Sequence, residues 1–525
     1  MCRKPSIASV PQFRIFGLLL VLGLWAGGWT GVASAQPEFL GEETVLLEDP
    51  DLSSTVASLA IDDGFLVATG RRLSGEVELQ VLKLDDDGVP MATVGSVPSS
   101  APFEAFLLDD GAGGALLVWR EFLLSSPYRM AVRHFPADGE PGEVFELTQE
   151  PWVAGFAEVV PLASGQFLAV WRTQVPSNED EPQTVQGRRF GPEGPVGPPF
   201  LLAGVESHLQ SLEVIPGADG GFLVVWSIPG PFNGTTLKAR RWKNGIAQPV
   251  VSIETLPFGV GTQPVGVPRR NSGFQLVWRG IDGQGHQKLQ TVRLDGQGRP
   301  LGDPVPLVGP GPMIEFGRAD VARNPIGRFW VVWPEDAPGT GDLMAQILDG
   351  DGLPQGAPFQ VNQLVGSAES SPRVAIGRDG RALVTWIHDS TQLTGRVLSE
   401  FPEGACEPSP STLCLGEGRF QVEVAWQSFD GATGVGRDTG FATSESGLLW
   451  FFGPNNWELL VKVIDGCANN GHFWVYAAAT TDVAYDLRVT DTLTGDTRTY
   501  SNPLGQASPT VNDTSAFSAC DKGPR

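Results

Sequence analysis

One pattern recurs seven times along this 525-residue chain and restricts its fold more than composition does. A glycine opens a short apolar run that ends in tryptophan in six of the seven copies. The copies are Gly64-FLVAT, Gly114-ALLVW, Gly165-QFLAVW, Gly221-FLVVW, Gly273-FQLVW, Gly327-RFWVVW and Gly380-RALVTW. Their closing residues, Thr69, Trp119, Trp171, Trp226, Trp278, Trp333 and Trp386, lie 50, 52, 55, 52, 55 and 53 residues apart. A second run then breaks at a glycine-containing turn, as in Val132-RHFPADGEP, Gly187-RRFGPEGPVG, Ala239-RRWKNGIAQP and Val292-RLDGQGRPLG. In the fourth copy Leu212-EVI, Phe222-LVVW, Leu237-KARRW and Pro249-VVSI read as four strands. Asn244-Gly245 supplies the positive φ that a tight hairpin needs. A helical repeat is excluded, because 66 Gly and 43 Pro do not fit a 3.6-residue period. Four antiparallel strands in about fifty residues, repeated seven times, is the arithmetic of a β-propeller.

The ends of the array agree with a closed ring. The seventh copy stops near Gly395-RVLSE without a fourth strand, while Glu43-TVLLED precedes the first copy as a surplus one. Pairing the two would bury two open edges. After Phe401 the period ceases, and alternating runs such as Arg419-FQVEVAW, Trp457-ELLVKVI and Ala484-YDLRVTD take over. Six or seven strands in about 120 residues read as a compact sandwich. The expected fold class is therefore all-β: a seven-bladed β-propeller over residues 36–400, then a small β-sandwich domain over 401–525. The repeat resembles that of secreted bacterial proteins whose copies follow a G-F-x-V-x-W strand with a G-x-P-x-G turn. The C-terminal stretch, with LCLGEGRFQVEVAW and HFWVYAA, is similar to a module found on varied secreted bacterial proteins. These resemblances imply a propeller and a reused module, and no particular chemistry.

Residues 1–35 read as a signal peptide. Arg3, Lys4 and Arg14 precede or flank an apolar run too short to span a bilayer, and Ala33-Ser34-Ala35 offers a cleavage site. The expected location is secreted or periplasmic, with no membrane span after cleavage. Losing three cations and no acid takes the formal charge from −24 to −27. So acidic a surface argues against nucleic acid as a partner. Four cysteines remain, Cys406, Cys414, Cys467 and Cys520, an even number suited to disulfides in an oxidising compartment. Of three possible pairings, Cys406–Cys414 with Cys467–Cys520 is favoured; zinc is the alternative reading.

Catalytic signatures are sparse. The five histidines are scattered, and no H-E-x-x-H, G-x-S-x-G or G-x-x-x-x-G-K-[ST] sequence is present. Asp349 and Asp351 partly resemble a calcium loop, yet lack its later bidentate acid and also fit a plain hairpin tip. No cofactor is expected, with calcium at this turn as the alternative. Arginine follows the strand-ending tryptophan at Arg120, Arg172 and Arg279, which could attract an anionic ligand if those strand ends share a rim. Trp450 and Trp474 lie in aromatic runs that alternation prevents from pointing wholly inward, and could stack on a sugar. The favoured reading is an exported, non-enzymatic binding or scaffolding protein whose rim loops recognise a protein or polysaccharide. The alternative is a propeller-type hydrolase or lyase with acids in the central channel. On the innermost strands those acids are Glu104, Glu158, Glu213 and Asp320. Convergence of the four would favour the enzyme.

Overall fold

The computed structural model describes residues 37–520 apart from short stretches, the longest being 49–55, 122–128, 149–155 and 174–182. The signal peptide expected at residues 1–35 lies outside the described residues. The architecture is all-β and β-propeller-like. Its one helix among the described residues is a single turn, Cys467–Asn470.

Residues 38–399 form seven antiparallel sheets of four or five strands, each meandering outward from its first strand. The innermost strands are Val56–Ile61, Pro102–Asp109, Ala157–Pro161, Ser211–Pro216, Val265–Arg269, Asp320–Arg323 and Glu369–Ile376. Each neighbours the innermost strand of the sheets before and after it, and the seventh returns to the first. The seventh sheet takes its outer strands from the N-terminus. Glu38–Phe39 and Thr44–Glu48 both pair with Gln392–Ser399.

The glycine-to-tryptophan run is the second strand of each sheet, and its continuous apolarity follows from its place. Ala115, Leu117 and Trp119 pack towards the first sheet, while Leu116 and Val118 pack towards the third. Such a strand has two buried faces and needs no polar alternation. Seven buried clusters result, one between each pair of consecutive sheets, including the seventh and first. Trp119, Trp171, Trp278, Trp333 and Trp386 are each at most 2% exposed. The strands run on past the tryptophan where the sequence reading ends them, as in Ala115–Glu121 and Phe167–Thr173. In Ala115–Glu121 the continuation is paired on both sides, and in Phe167–Thr173 it is paired with the third strand of its sheet, so the ladder does not stop at the last apolar residue.

Arginines of the second signature staple the sheets together. Arg133, Arg188 and Arg240 donate through Nε to a carbonyl beyond the turn of their own sheet, at Gly142, Gly197 and Gln248. Through Nη1 each reaches a carbonyl of the preceding sheet's outer segment: Ser96, Leu147 and Leu202. Arg396 of the seventh sheet does the same to the Val361 carbonyl. The turn glycines also press on the preceding sheet. Gly298 has φ +81°, and a Cβ there would lie 2.6 Å from Leu223 Cδ1.

Residues 413–517 form two further five-stranded antiparallel sheets whose inward side chains share one core. Cys406 is bonded to Cys414 and Cys467 to Cys520, the favoured pairing. Among the described residues no helix is long and apolar enough to cross a membrane.

Candidate active site

The register of the innermost strands sets one charged level inside the ring. Opposite the residue that precedes each closing tryptophan stand Glu158, Glu213, Asp320 and Arg373, in the third, fourth, sixth and seventh sheets. Ala57, Phe106 and Val265 hold the same level in the first, second and fifth. Glu104 lies two residues along, opposite Arg120. Because the inner strands share one register against the second strands, whatever their own lengths, residues from sheets far apart in sequence stand at one level.

Arg318, two residues before the sixth inner strand, gathers the acids. Its Nη2 donates to Glu158 Oε1 at 2.9 Å and lies 3.9 Å from Glu213 Oε2; its Nη1 is 3.5 Å from Glu104 Oε1. Glu104 Oε2 is also 3.2 Å from Arg120 Nη2. The carboxylates are only 10–13% exposed, whereas the Arg318 side chain is 33% exposed. Glu213 Oε1 and Asp320 Oδ2 accept backbone N–H groups from the next inner strand, at Gly266 and Val374. Those two acids bridge consecutive sheets.

Burial pushes the Glu158 carboxyl up to about 7, with Arg318 pulling it down and Glu104 adding to the rise. Burial also raises Glu213 well above the ordinary carboxylate range, and the neighbouring Glu158 adds to it. Burial works against the charge on Arg318, but Glu158, Glu213, Glu104 and Asp320 outweigh it and hold its pKa above the usual value. The arrangement can therefore present a protonated carboxyl group, a second carboxylate and a fixed cation to one small volume.

The other sequence-selected residues are dispersed. Arg120 is buried in its pair with Glu104. Arg172 donates to the Leu209 carbonyl at 3.2 Å and lies 5.1 Å from the Phe156 ring centroid. Arg279 is half-buried, its backbone N–H bonded to the Thr262 carbonyl. Asp349 Oδ1 accepts the N–H groups of Asp351 and Leu353, closing its own turn. Asp351 pairs with Arg293 at 2.8 Å and Arg269 at 3.5 Å. Among the described residues no group of three His, Cys, Asp or Glu is placed to hold a metal ion. Trp450 is half-buried under Arg437, and Trp474 is half-buried with its Nε1 bonded to Asn470 Oδ1 at 2.8 Å. Arg318 and Arg373 were not singled out from sequence. Their signal was electrostatic: four carboxylates facing one axis require compensating cations nearby.

No family model matches the chain, and no curated protein matches it. Among solved structures it is similar to a protein of unknown function from Dyadobacter fermentans, at 13% identity and TM-score 0.38, covering 68% of this chain and 98% of that one. It is similar to an alpha-L-arabinanase from Penicillium chrysogenum, at 10% identity and TM-score 0.39, covering 70% and 99%. A Hadza microbial sialidase matches at 12% identity and TM-score 0.38, covering 61% and 73%. Likenesses this distant bear on neither substrate nor mechanism of the present chain.

Proposed function

We propose that this protein is an exported, propeller-type hydrolase acting on a polysaccharide, with its reacting groups at the ring axis. The seven sheets are read as blades closed by the N-terminal strands, and residues 401–525 as a β-sandwich module. Two disulfides and the acidic surface suit a secreted or periplasmic location.

The observation that carries the reading is the convergence of Glu104, Glu158 and Glu213 on Arg318, from sheets far apart in sequence. Glu158, protonated into the neutral range, is the general acid and delivers its proton to the glycosidic oxygen as that bond breaks. Glu104, held between Arg120 and Arg318, faces the positive charge that develops on the sugar and takes the proton of the attacking water. Arg318 positions both carboxyl groups.

One observation favours the second reading, a binding protein without turnover: Glu213 and Asp320 are committed to backbone N–H groups of the next sheet. Incubation of the mature protein with a panel of polysaccharides separates the two. New reducing ends that vanish in Glu158→Gln support the hydrolase. Saturable binding with no new reducing ends on any substrate supports the binder.

A further inference from the structure

The two C-terminal sheets turn unlike faces outward. On Phe420–Gln427 and Ala484–Asp491 the outward residues include Gln421, Glu423, Asp486 and Arg488, the usual pattern of a solvated face. On the other sheet, the outward positions of Ser446–Gly453, Asn456–Asp465 and Phe473–Ala479 are mostly apolar. Leu448 pairs with Leu460, and Ile464 with Trp474. None of these four belongs to the core that the two sheets share. Trp450 stands opposite Trp457, which is 45% exposed, and Trp474 lies edge-on to Tyr476. The aromatic ends of the face, at Trp457 and at Trp474 beside Ile464, are roughly 20 Å apart at about 3.3 Å per residue.

Two of the rings are held in place. Trp457 Nε1 donates to the Pro454 carbonyl at 3.1 Å, and Trp474 Nε1 to Asn470 Oδ1 at 2.8 Å. Asn470 sits on the single helical turn that begins at Cys467, which is bonded to Cys520. A ring oriented in advance loses little freedom when a ligand stacks on it. Charge on this face runs against the molecule. The chain carries −24 overall, yet the outward charges here are Lys462, opposite Tyr476, and Arg437, 5.5 Å from the Trp450 ring centroid. Glu458 and Asp465, the acids of those three strands, accept the backbone N–H groups of Phe451 and Cys467. On the flanking strands Asp438 accepts the Gly440 N–H and Asp513 the Tyr500 hydroxyl.

We propose that this face binds an extended acidic polysaccharide, whose sugar rings stack on Trp450, Trp457 and Trp474 while its carboxylates meet Arg437 and Lys462. Aromatic rings take the apolar faces of sugars, and cations with no acid beside them take anionic groups. The distance between the aromatic ends suits a chain, since one sugar cannot reach both. A second copy of this protein fits the face less well, because two-fold pairing would set the central Lys462 near its own counterpart. The site shares no residue with the axial cluster and supplies binding alone, so it stands whether or not the axial groups cleave.

Calorimetry on the full mature protein tests it, with a galacturonate oligomer and a neutral galactose oligomer of equal length as probes. The uronate chain should bind at least about tenfold tighter than the neutral one at low salt. Raising salt from about 50 to about 300 mM should narrow that difference. Trp450→Ala combined with Trp474→Ala should weaken uronate binding at least about tenfold. If that variant does not fold, Arg437→Gln with Lys462→Gln decides, since both positions are exposed. This pair should lose the preference for the uronate and keep the binding of the neutral chain. Equal binding of the two probes, no binding of the uronate, or an unchanged preference in the cation variant overturns the proposal. Uronate binding that is lost in Glu158→Gln but kept in the tryptophan variant would place the ligand at the axis, and also overturns it. So does a dimer that dissociates in the tryptophan variant, which would put a second copy on the face.

Discussion

Glu158 keeps its proton into the neutral range because protein surrounds its carboxyl group on the inner face of the ring. Burial raises Glu213 likewise, and it lifts Glu369 to about 7 despite the hydrogen bond from His388 at 2.8 Å. Each of these groups binds its proton more tightly folded than unfolded. The contribution of Glu158 and Glu369 is therefore most favourable below the unfolded carboxylate range and is lost as pH rises to about 7. Stability should accordingly fall across that window and level off above it, and melting curves measured at several pH values read this directly. Glu158→Gln removes one such proton while preserving shape. The melting temperature should depend less on pH in the variant, and a slope equal to the parent's would show that Glu158 is not perturbed in solution. Activity should drop by about 10²–10⁴-fold in the same variant, the usual worth of a positioned proton donor. Glu213→Ala tests something else, because that residue also accepts the Gly266 N–H. Its loss should weaken the fold as well as any turnover.

Between sheets, the repeated arginine staple carries a load that the apolar clusters do not. Arg188 satisfies the Gly197 carbonyl of its own sheet and the Leu147 carbonyl of the one before. Replacing it with alanine leaves both without this donor, which should cost about 1–3 kcal/mol; urea unfolding of the Arg188→Ala variant measures it. No loss would mean that water replaces the guanidinium at both carbonyls. In the C-terminal region, Cys467–Cys520 closes a separation of 53 residues. Reduction there should destabilise that region by about 2–4 kcal/mol, and thiol counting on the unreduced, denatured protein should find no free cysteine. Strand positions, both disulfides and the presence of four acids on the inner strands were legible from local sequence, because strand period, turn chemistry and cysteine number are local properties; that Arg318 contacts three of those acids while Asp320 accepts the Val374 N–H was not. Arg133, Arg188 and Arg240 stood in the second signature, yet their partners belong to the preceding sheet and appear only once sheets are packed. Arg318 was harder still, since it meets Glu158 and Glu104 across 160 and 214 residues. The preference for a non-enzymatic binder rested on finding no catalytic motif, but motifs record neighbours in sequence and these groups are neighbours only in space.

At the scale of the molecule, one set of pairings decides whether the ring holds. Thr44–Glu48 and Glu38–Phe39 are the outer strands of the seventh sheet, and their partner is the last strand of the array, Gln392–Ser399. Leu46 is buried in the cluster that joins the seventh and first sheets, against which Leu47 also packs. Phe39 lies beneath Arg396, 3.8 Å from its guanidinium carbon, and edge-on to Phe359 of the sixth sheet. Glu43 accepts the backbone N–H of Gln363, tying the N-terminal segment to the sixth sheet as well. Removing residues 36–49 would thus open one edge of the seventh sheet and uncover part of an apolar cluster. An exposed strand edge templates pairing with other chains. The truncated protein should melt several degrees lower or form soluble aggregates, as seen by calorimetry and light scattering. A peptide spanning residues 36–49, added in trans, should bind the truncated protein and restore part of its stability through mass action. A truncated protein that is monomeric and melts with the parent would show that the ring holds without the N-terminal strands. In that case the N-terminal strands would be a covering of the edge, and the axial geometry that places Glu158 beside Arg318 would survive without them.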